Sequence, residues 1–183
     1  YCRQRQKCIR ESGRTLAALI EEVCRYADHI SVVNGGSTAD TTNILKQYPA
    51  IRTITHPVNK GKGTALKHGL SQAKKEGFRY AITIDSDGQH FASDIPCFIE
   101  AIEKEPDTLL VGARNLASDN MPGKNTFANK FSNFWFRLET GLKLEDTQSG
   151  YRLYPLRKMD VQSCWYTAKY EFELEAIVFA AWG

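Results

Sequence analysis

"AITIDSDGQH", residues 81–90, runs an apolar segment straight into two aspartates separated by one serine. Ala81, Ile82 and Ile84 have the character of a short buried strand, so Asp85 and Asp87 fall where the chain leaves a sheet and turns at Gly88. Alternate residues of a strand share a face, and the two carboxylates can therefore converge. Converging carboxylates repel unless one takes up a proton or a cation with oxygen preference joins them. Read alone, Asp-Ser-Asp-Gly serves a solvated turn as well as such a cation, because Asp, Ser and Gly are common turn residues. The neighbouring segments decide between the two.

Working outward, "TLAALIEEVCRYA" (15–27) places Leu16, Leu19, Ile20, Val23 and Ala27 at helical spacing, and "HISVVNGGS" (29–37) follows as a short strand running into a glycine turn. "TTNILKQYP" (41–49) predicts a short helix closed by Pro49, and "IRTITH" (51–56) alternates like a strand. "GTALKHGLSQAKKEG" (63–77) carries Ala65, Leu66, Leu70 and Ala73 on one helical face ahead of Gly77. After the strand at 80–85, "SDIPCFIEAIEK" (93–104) opens as helices do, with Ser93, Asp94 and an early Pro96, and "TLLVGAR" (108–114) gives another strand. Such alternation predicts an α/β fold, a mostly parallel sheet with helices on both faces, whose sites lie outside the carboxyl ends of the strands. "NGGST" (34–38), "DSDGQ" (85–89) and "GAR" (112–114) all fall at those ends, which favours the metal reading of Asp85 and Asp87.

With 183 residues and 42% hydrophobic composition the chain can bury one sizeable core, and we expect a single domain over 1–183. A formal charge of +3 is too small and too dispersed for a nucleic-acid protein. The local exception is residues 1–14, a basic lead with Arg3, Arg5, Lys7, Arg10 and Arg14; it reads as a flexible arm or as a contact for an anionic membrane. Five scattered cysteines without a C-x-x-C pair argue against a disulfide framework and a zinc site, and point to the reducing cytoplasm. No apolar run approaches the roughly 20 residues that span a bilayer, so membrane contact from this chain is expected to be peripheral. "EFELEAIVFAAWG" (171–183) ends at a glycine that would close a helix, which suggests a fragment truncated at the C-terminus.

Several further segments bear chemistry. "NGGSTADTT" (34–42) sets Gly35 and Gly36 after a strand and Ser37, Thr38 and Asp40 before a helix, where amides and hydroxyls serve either an ordinary turn or a nucleotide. "NKGKG" (59–63) brackets Gly61 with Lys60 and Lys62 ahead of a helix N-terminus, an arrangement suited to an anionic ligand, although a solvated basic loop has the same composition. Arg114 follows its strand, and Arg152 follows Ser149 and Gly150. Each could form a surface salt bridge, but beside two strand-end carboxylates the pair suggests a diphosphate held between a metal and guanidinium groups. Glu171, Glu173 and Glu175 alternate among apolar residues; on a helix they do not share a face, so at most one or two reach a pocket, as a general base or as part of a solvated face. Phe127, Phe131, Phe134, Trp135 and Leu138 mark a helix expected to face the core, with a lipid-facing surface as the alternative.

The order of these motifs resembles glycosyltransferase family 2, the GT-A (Rossmann-like) fold, and within it dolichyl-phosphate mannose synthase and related polyprenyl-phosphate glycosyltransferases. The resemblance runs from about residue 15 to the C-terminus and rests on "VVNGGSTADTT", "NKGKGTALKHG", "DSDGQH" and "DTQSGYRLY" standing in the family's order. It implies an inverting glycosyltransferase using a nucleotide-sugar donor, with Mg2+ or Mn2+ at Asp85 and Asp87 and Gln89 as a third ligand. Asn34 and Gly35 occupy the positions of the paired aspartates near the nucleoside, with Lys62 close by. Arg114 and Arg152 match basic residues near the phosphates and the acceptor, and Glu173 matches the carboxylate of an F-E-x-E-like segment. The implied acceptor is a polyprenyl phosphate met at the inner membrane face, and a homo-oligomer remains open.

Two departures from the family pattern stand out. "RQRQKCIRES" (3–12) replaces an apolar first strand, so that strand is expected to be atypical or missing, because a row of polar residues does not suit a central parallel strand. Gly35 stands where an aspartate usually meets the base, and Ala39 replaces another acid. These departures support the alternative of a nucleotide-binding member with weak or no activity. Phosphoryl or nucleotidyl transfer is a third class with similar metal and phosphate needs. For the acceptor, a hydroxyl requires a base such as Glu173, whereas a lipid phosphate is already ionised and requires cations such as Arg152 and Lys130.

Overall fold

The computed structural model describes residues 2–4, 12–34, 39–86, 88–113, 132–134, 136–138, 140–144, 146–159 and 171–182. Strands β1 (Cys2–Gln4), β2 (Ser31–Asn34), β3 (Arg52–Thr55), β4 (Tyr80–Thr83), β5 (Leu110–Val111) and β6 (Arg152–Pro155) form one sheet in the order β3-β2-β1-β4-β6-β5. Helices among the described residues include α1 (Ser12–Val23), α2 (Ala39–Lys46), α3 (Lys62–Lys75), α4 (Ile95–Lys104) and α5 (Glu171–Trp182). Strands β3, β2, β1 and β4 run parallel, while β6 is antiparallel to both β4 and β5.

Period-two alternation along β4 sends its side chains to two different cores. Ile82 and Ile84 pack with Leu19 and Val23 of α1 and with Ile95, Phe98 and Ile102 of α4. Ala81 faces the other way, with Leu66 and Leu70 of α3, Tyr154 of β6, and Phe172 and Ala176 of α5. Leu16, Ile20, Val32, Leu45 and Ile51 tie α1 and α2 to β2. A buried leucine or isoleucine in such a cluster stabilises the fold by about 1.5–3 kcal/mol, so the sandwich is held from both faces of the sheet.

The first strand, expected to be atypical or missing, is present and atypical. The polar lead does supply a central strand: Cys2, Arg3 and Gln4 pair with Ser31, Val32 and Val33, and Cys2 also pairs with Thr83. Parallel ladders are made by the main chain, and β1 satisfies amides and carbonyls on the facing edges of β2 and β4. The first strand is therefore present, though polar and short. β6 is a strand that the sequence reading did not find. All four residues of "RLYP" are buried, including an arginine, so neither alternation nor apolar composition marks it.

Phe134 and Leu138, expected to face the core, are exposed, and Phe136 between them is buried. Phe127, Phe131 and Trp135 lie outside the described residues. Among the described residues no helix is long and apolar enough to cross a membrane.

Candidate active site

The antiparallel course of β6 decides which segments meet. Thr83, the last residue of β4, pairs with Arg152, the first of β6, so the chain entering β6 arrives where the chain leaving β4 departs. Gly150, two residues before β6, therefore lies against Asp85 at the carboxyl edge of the sheet. The main chain entering β6 is tied down at successive points. Thr83 Oγ1 donates to the Gly150 carbonyl at 2.9 Å, and the Gly112 amide donates to the Tyr151 carbonyl at 2.8 Å. The Thr147 amide and hydroxyl donate to Asn133 Oδ1 at 3.0 and 2.7 Å.

At the start of α3, Lys62 is buried with its ammonium between two carboxylates, 2.7 Å from Asp85 Oδ2 and 2.9 Å from Glu173 Oε2. Burial alone would pull the ammonium down, but the charges of Asp85 and Glu173 reverse this and push its pKa up to about 12. Burial pushes the Glu173 carboxyl up from its ordinary value; Lys62 and Arg152 oppose that rise and Asp85 adds to it. Glu173 Oε1 is buried and has no hydrogen-bond partner among the described residues. Lys62, read from the sequence as a contact for an anionic ligand, is thus the counter-ion of the protein's own acids.

Gly150 explains why this motif has no side chain at its centre. A Cβ there would lie 2.1 Å from Asp85 Oδ2 and 2.9 Å from Lys62 Nζ. Glycine lets the backbone pass directly beneath the ion pair. Gly61, at the entry to α3, is required for a different reason: its φ of 89° is a left-handed conformation that side chains disfavour.

Arg152 is 0% exposed, and its guanidinium is taken up by main-chain carbonyls. Nε donates to Ser149 O at 2.7 Å, Nη2 to Thr147 O at 2.9 Å, and Nη1 to Glu173 O. The expectation that Arg152 faces a phosphate is corrected by this geometry, since β6 alternation turns the side chain toward α5 rather than outward from the strand end.

The other expected site residues divide clearly. Asn34 is buried at the end of β2, its carbonyl accepting the His56 amide at 2.9 Å. Lys60 is exposed in the loop before α3, and Gln89 is exposed beyond Gly88. Gly35, Ser37, Asp87, Arg114 and Lys130 lie outside the described residues. Among the described residues no three His, Cys, Asp or Glu side chains gather as an ion-holding group. Sequence reasoning missed the pair His56 and His68, whose Nε2 and Nδ1 are 2.8 Å apart. Burial, with the charges of His68 and Lys60, holds His56 below its ordinary pKa. The available signal was a histidine directly after β3, at the sheet edge where sites form.

The sequence profile of Glycosyl transferase family 2 matches residues 7–161, which include α1 through β6 and Lys62, Asp85, Gly150 and Arg152. The chain belongs to glycosyl transferase family 2. Within that family it is 31% identical over 173 residues to the UDP-N-acetylglucosamine–dolichyl-phosphate N-acetylglucosaminyltransferase of Methanococcus voltae, with 84% of this chain and 69% of that protein covered. It is 26% identical to the polyprenol monophosphomannose synthase of Mycolicibacterium smegmatis, spanning 84% of this chain and 62% of that one. The fold matches glucosyl-3-phosphoglycerate synthase from Mycobacterium tuberculosis, solved in complex with Mn2+, uridine diphosphate and glucosyl-3-phosphoglycerate, at a TM-score of 0.67 and 19% identity over 94% of this chain and 61% of that one. Staphylococcus aureus TarS residues 1–349 match at 0.61 with 15% identity, over 98% and 54% of the two chains. The likeness to these solved structures is one of fold, the GT-A α/β fold.

Proposed function

We propose that this chain is the catalytic domain of a metal-dependent, inverting glycosyltransferase that moves a sugar from a nucleotide-sugar to a polyprenyl phosphate. The observation that carries the reading is Asp85 at the carboxyl end of β4, two residues before Asp87, with Lys62 bonded to its carboxylate. The names of the dolichyl-phosphate and polyprenol relatives support the lipid-phosphate acceptor. Uridine diphosphate and Mn2+ in the structural neighbour support the donor class and the metal.

The residues fit a hard divalent cation. Asp85, Asp87 and Gln89 offer carboxylate and amide oxygens, the donors that a hard divalent cation prefers. Mg2+ or Mn2+ held there supplies charge stabilisation for the departing diphosphate. Lys62 holds the Asp85 carboxylate in one orientation and offsets Glu173, so the acids do not repel the donor phosphates. Asn34, Gly35, Ser37, Lys60 and Gly61 form the nucleotide side, and Arg114 meets the phosphates. The acceptor phosphate oxygen attacks the anomeric carbon as its bond to the diphosphate breaks on the opposite face, which inverts the centre. That oxygen is already ionised at neutral pH and needs no base, in keeping with a Glu173 carboxylate buried against Lys62. The reaction takes place at a membrane surface, because the acceptor's polyprenyl chain stays in the bilayer.

A nucleotide-binding member with weak or no activity is the second reading, favoured by Gly35 and Ala39 in place of family acids. Incubation with UDP-sugars, Mn2+ and a polyprenyl phosphate separates the two. Sugar in the lipid product, lost with Asp87→Ala in a chain that still folds, is the expected result. Nucleotide binding without any lipid-linked sugar would favour the second reading, and phosphate or nucleotide in the lipid product would replace both with a different transfer.

A further inference from the structure

We propose that Arg152 is a positioning residue, a clip that locks residues 147–150 to the first turn of α5 and so fixes Asp85 and Glu173 about Lys62. This rests on the metal-dependent donor site proposed above. Three of the five N–H groups of Arg152, one each on Nε, Nη1 and Nη2, donate to protein carbonyls, and the side chain is 0% exposed, so its guanidinium faces the protein's own main chain and not an open ligand site. The three acceptors belong to two segments, Thr147 and Ser149 from the entry to β6, and Glu173 from α5. One guanidinium therefore sets their separation.

Both segments touch the ion pair directly. Gly150 follows Ser149 and leaves no room for even a methyl group beside Asp85 Oδ2. The side chain of Glu173 bonds Lys62 at 2.9 Å while its carbonyl accepts from Arg152. A shift of the 147–150 main chain would move the wall against which Asp85 rests. A shift of α5 would move the acid that shares Lys62. Thr83 braces the same wall from β4 through the Gly150 carbonyl. A lysine at 152 carries the charge but not the planar fork, and cannot hold three divergent carbonyls in one plane.

The test measures UDP affinity by calorimetry with and without Mn2+, with no acceptor present, alongside KM and kcat for polyprenyl phosphate. Arg152→Lys is expected to weaken Mn2+-dependent UDP binding by about 10–100-fold, the range seen when a group supporting a metal ligand is lost, and to leave the acceptor KM near that of wild type. Thr83→Val, opposite Arg152 in the β4–β6 ladder, removes the hydroxyl that braces the same loop and keeps the arginine's own bonds. It is expected to shift UDP affinity in the same direction by a smaller factor, and it decides the matter should Arg152→Lys not fold. Wild-type UDP affinity in both folded variants, or in Thr83→Val alone should Arg152→Lys not fold, overturns the positioning role, as does an Arg152→Lys change confined to the acceptor KM. A wild-type chain that binds no UDP with Mn2+ overturns the donor-site reading and this proposal with it.

Discussion

The two ends of the sheet's carboxyl edge are built from different chemistry. At the β4 and β6 end, Lys62, Asp85, Glu173 and Arg152 are charged groups in a largely buried setting, joined to one another or to main-chain carbonyls. At the β2 and β3 end, the polar groups are Asn34 and the paired His56 and His68, with His56 kept toward its neutral form by burial. Gly35 follows Asn34 in sequence, at the position where the resemblance to the family implies an acid. On the proposed reading, the charged end would meet a diphosphate and a divalent cation, and the β2 and β3 end would meet the nucleoside. Buried charges need fixed partners, because an unpaired one costs several kcal/mol, and this explains why the charged end is also the more densely tied.

Lys62→Met should break that end most severely. Asp85 and Glu173 would then share a buried region without their cation, and a loss of about 3–5 kcal/mol is expected in urea unfolding. The same lysine sets an alkaline limit. Its folded pKa, about 12, lies above its ordinary 10.5, so its contribution is present at neutral pH and lost as pH rises through about 12. That contribution is about 2 kcal/mol, and the Lys62→Met chain should lack this component of the pH dependence. Equal stability of the two chains would mean that the ion pair is not what holds this end together.

Gly150→Ala comes next. Its Cβ would require Asp85 to move away from Lys62, so Mn2+-dependent UDP affinity should fall by about 10–100-fold, and the melting temperature should fall by less than in Lys62→Met, because the Lys62–Glu173 pair remains. Unchanged affinity would show that Asp85 can relax without consequence for the site.

Much of this arrangement was legible in the sequence, and the limits were physical. The strand and helix alternation and the position of Asp85 follow from periodicity and turn residues, which are local properties. β6 escaped because its four residues are buried on both faces and one of them is an arginine, so no alternation marks it. With β6 unseen, nothing brought Gly150 to Asp85 or Arg152 to Glu173, which are contacts between segments distant in sequence. Lys62 between glycines has the composition of an anion-binding loop, and its true partners appear when β4 and α5 are placed beside α3. His56 went unread because a lone histidine after a strand has no pattern of its own.

The smallest expected effect sharpens the nucleoside end. Gly35→Asp restores the acid that the family carries there, and UDP should bind tighter by a factor below about ten, one pKa unit's worth of free energy or less. Calorimetric titration reads it directly, and weaker binding would mean that the neutral end is tuned as it stands.

The most direct test of the account is a titration of the wild-type chain with uridine, UMP and UDP, each with and without Mn2+. If affinity resides at the Asp85 end, uridine and UMP bind weakly and are indifferent to the metal, while UDP gains at least tenfold from Mn2+. Uridine binding as tightly as UDP, with no response to Mn2+, would contradict it and move the donor site to the β2 and β3 end.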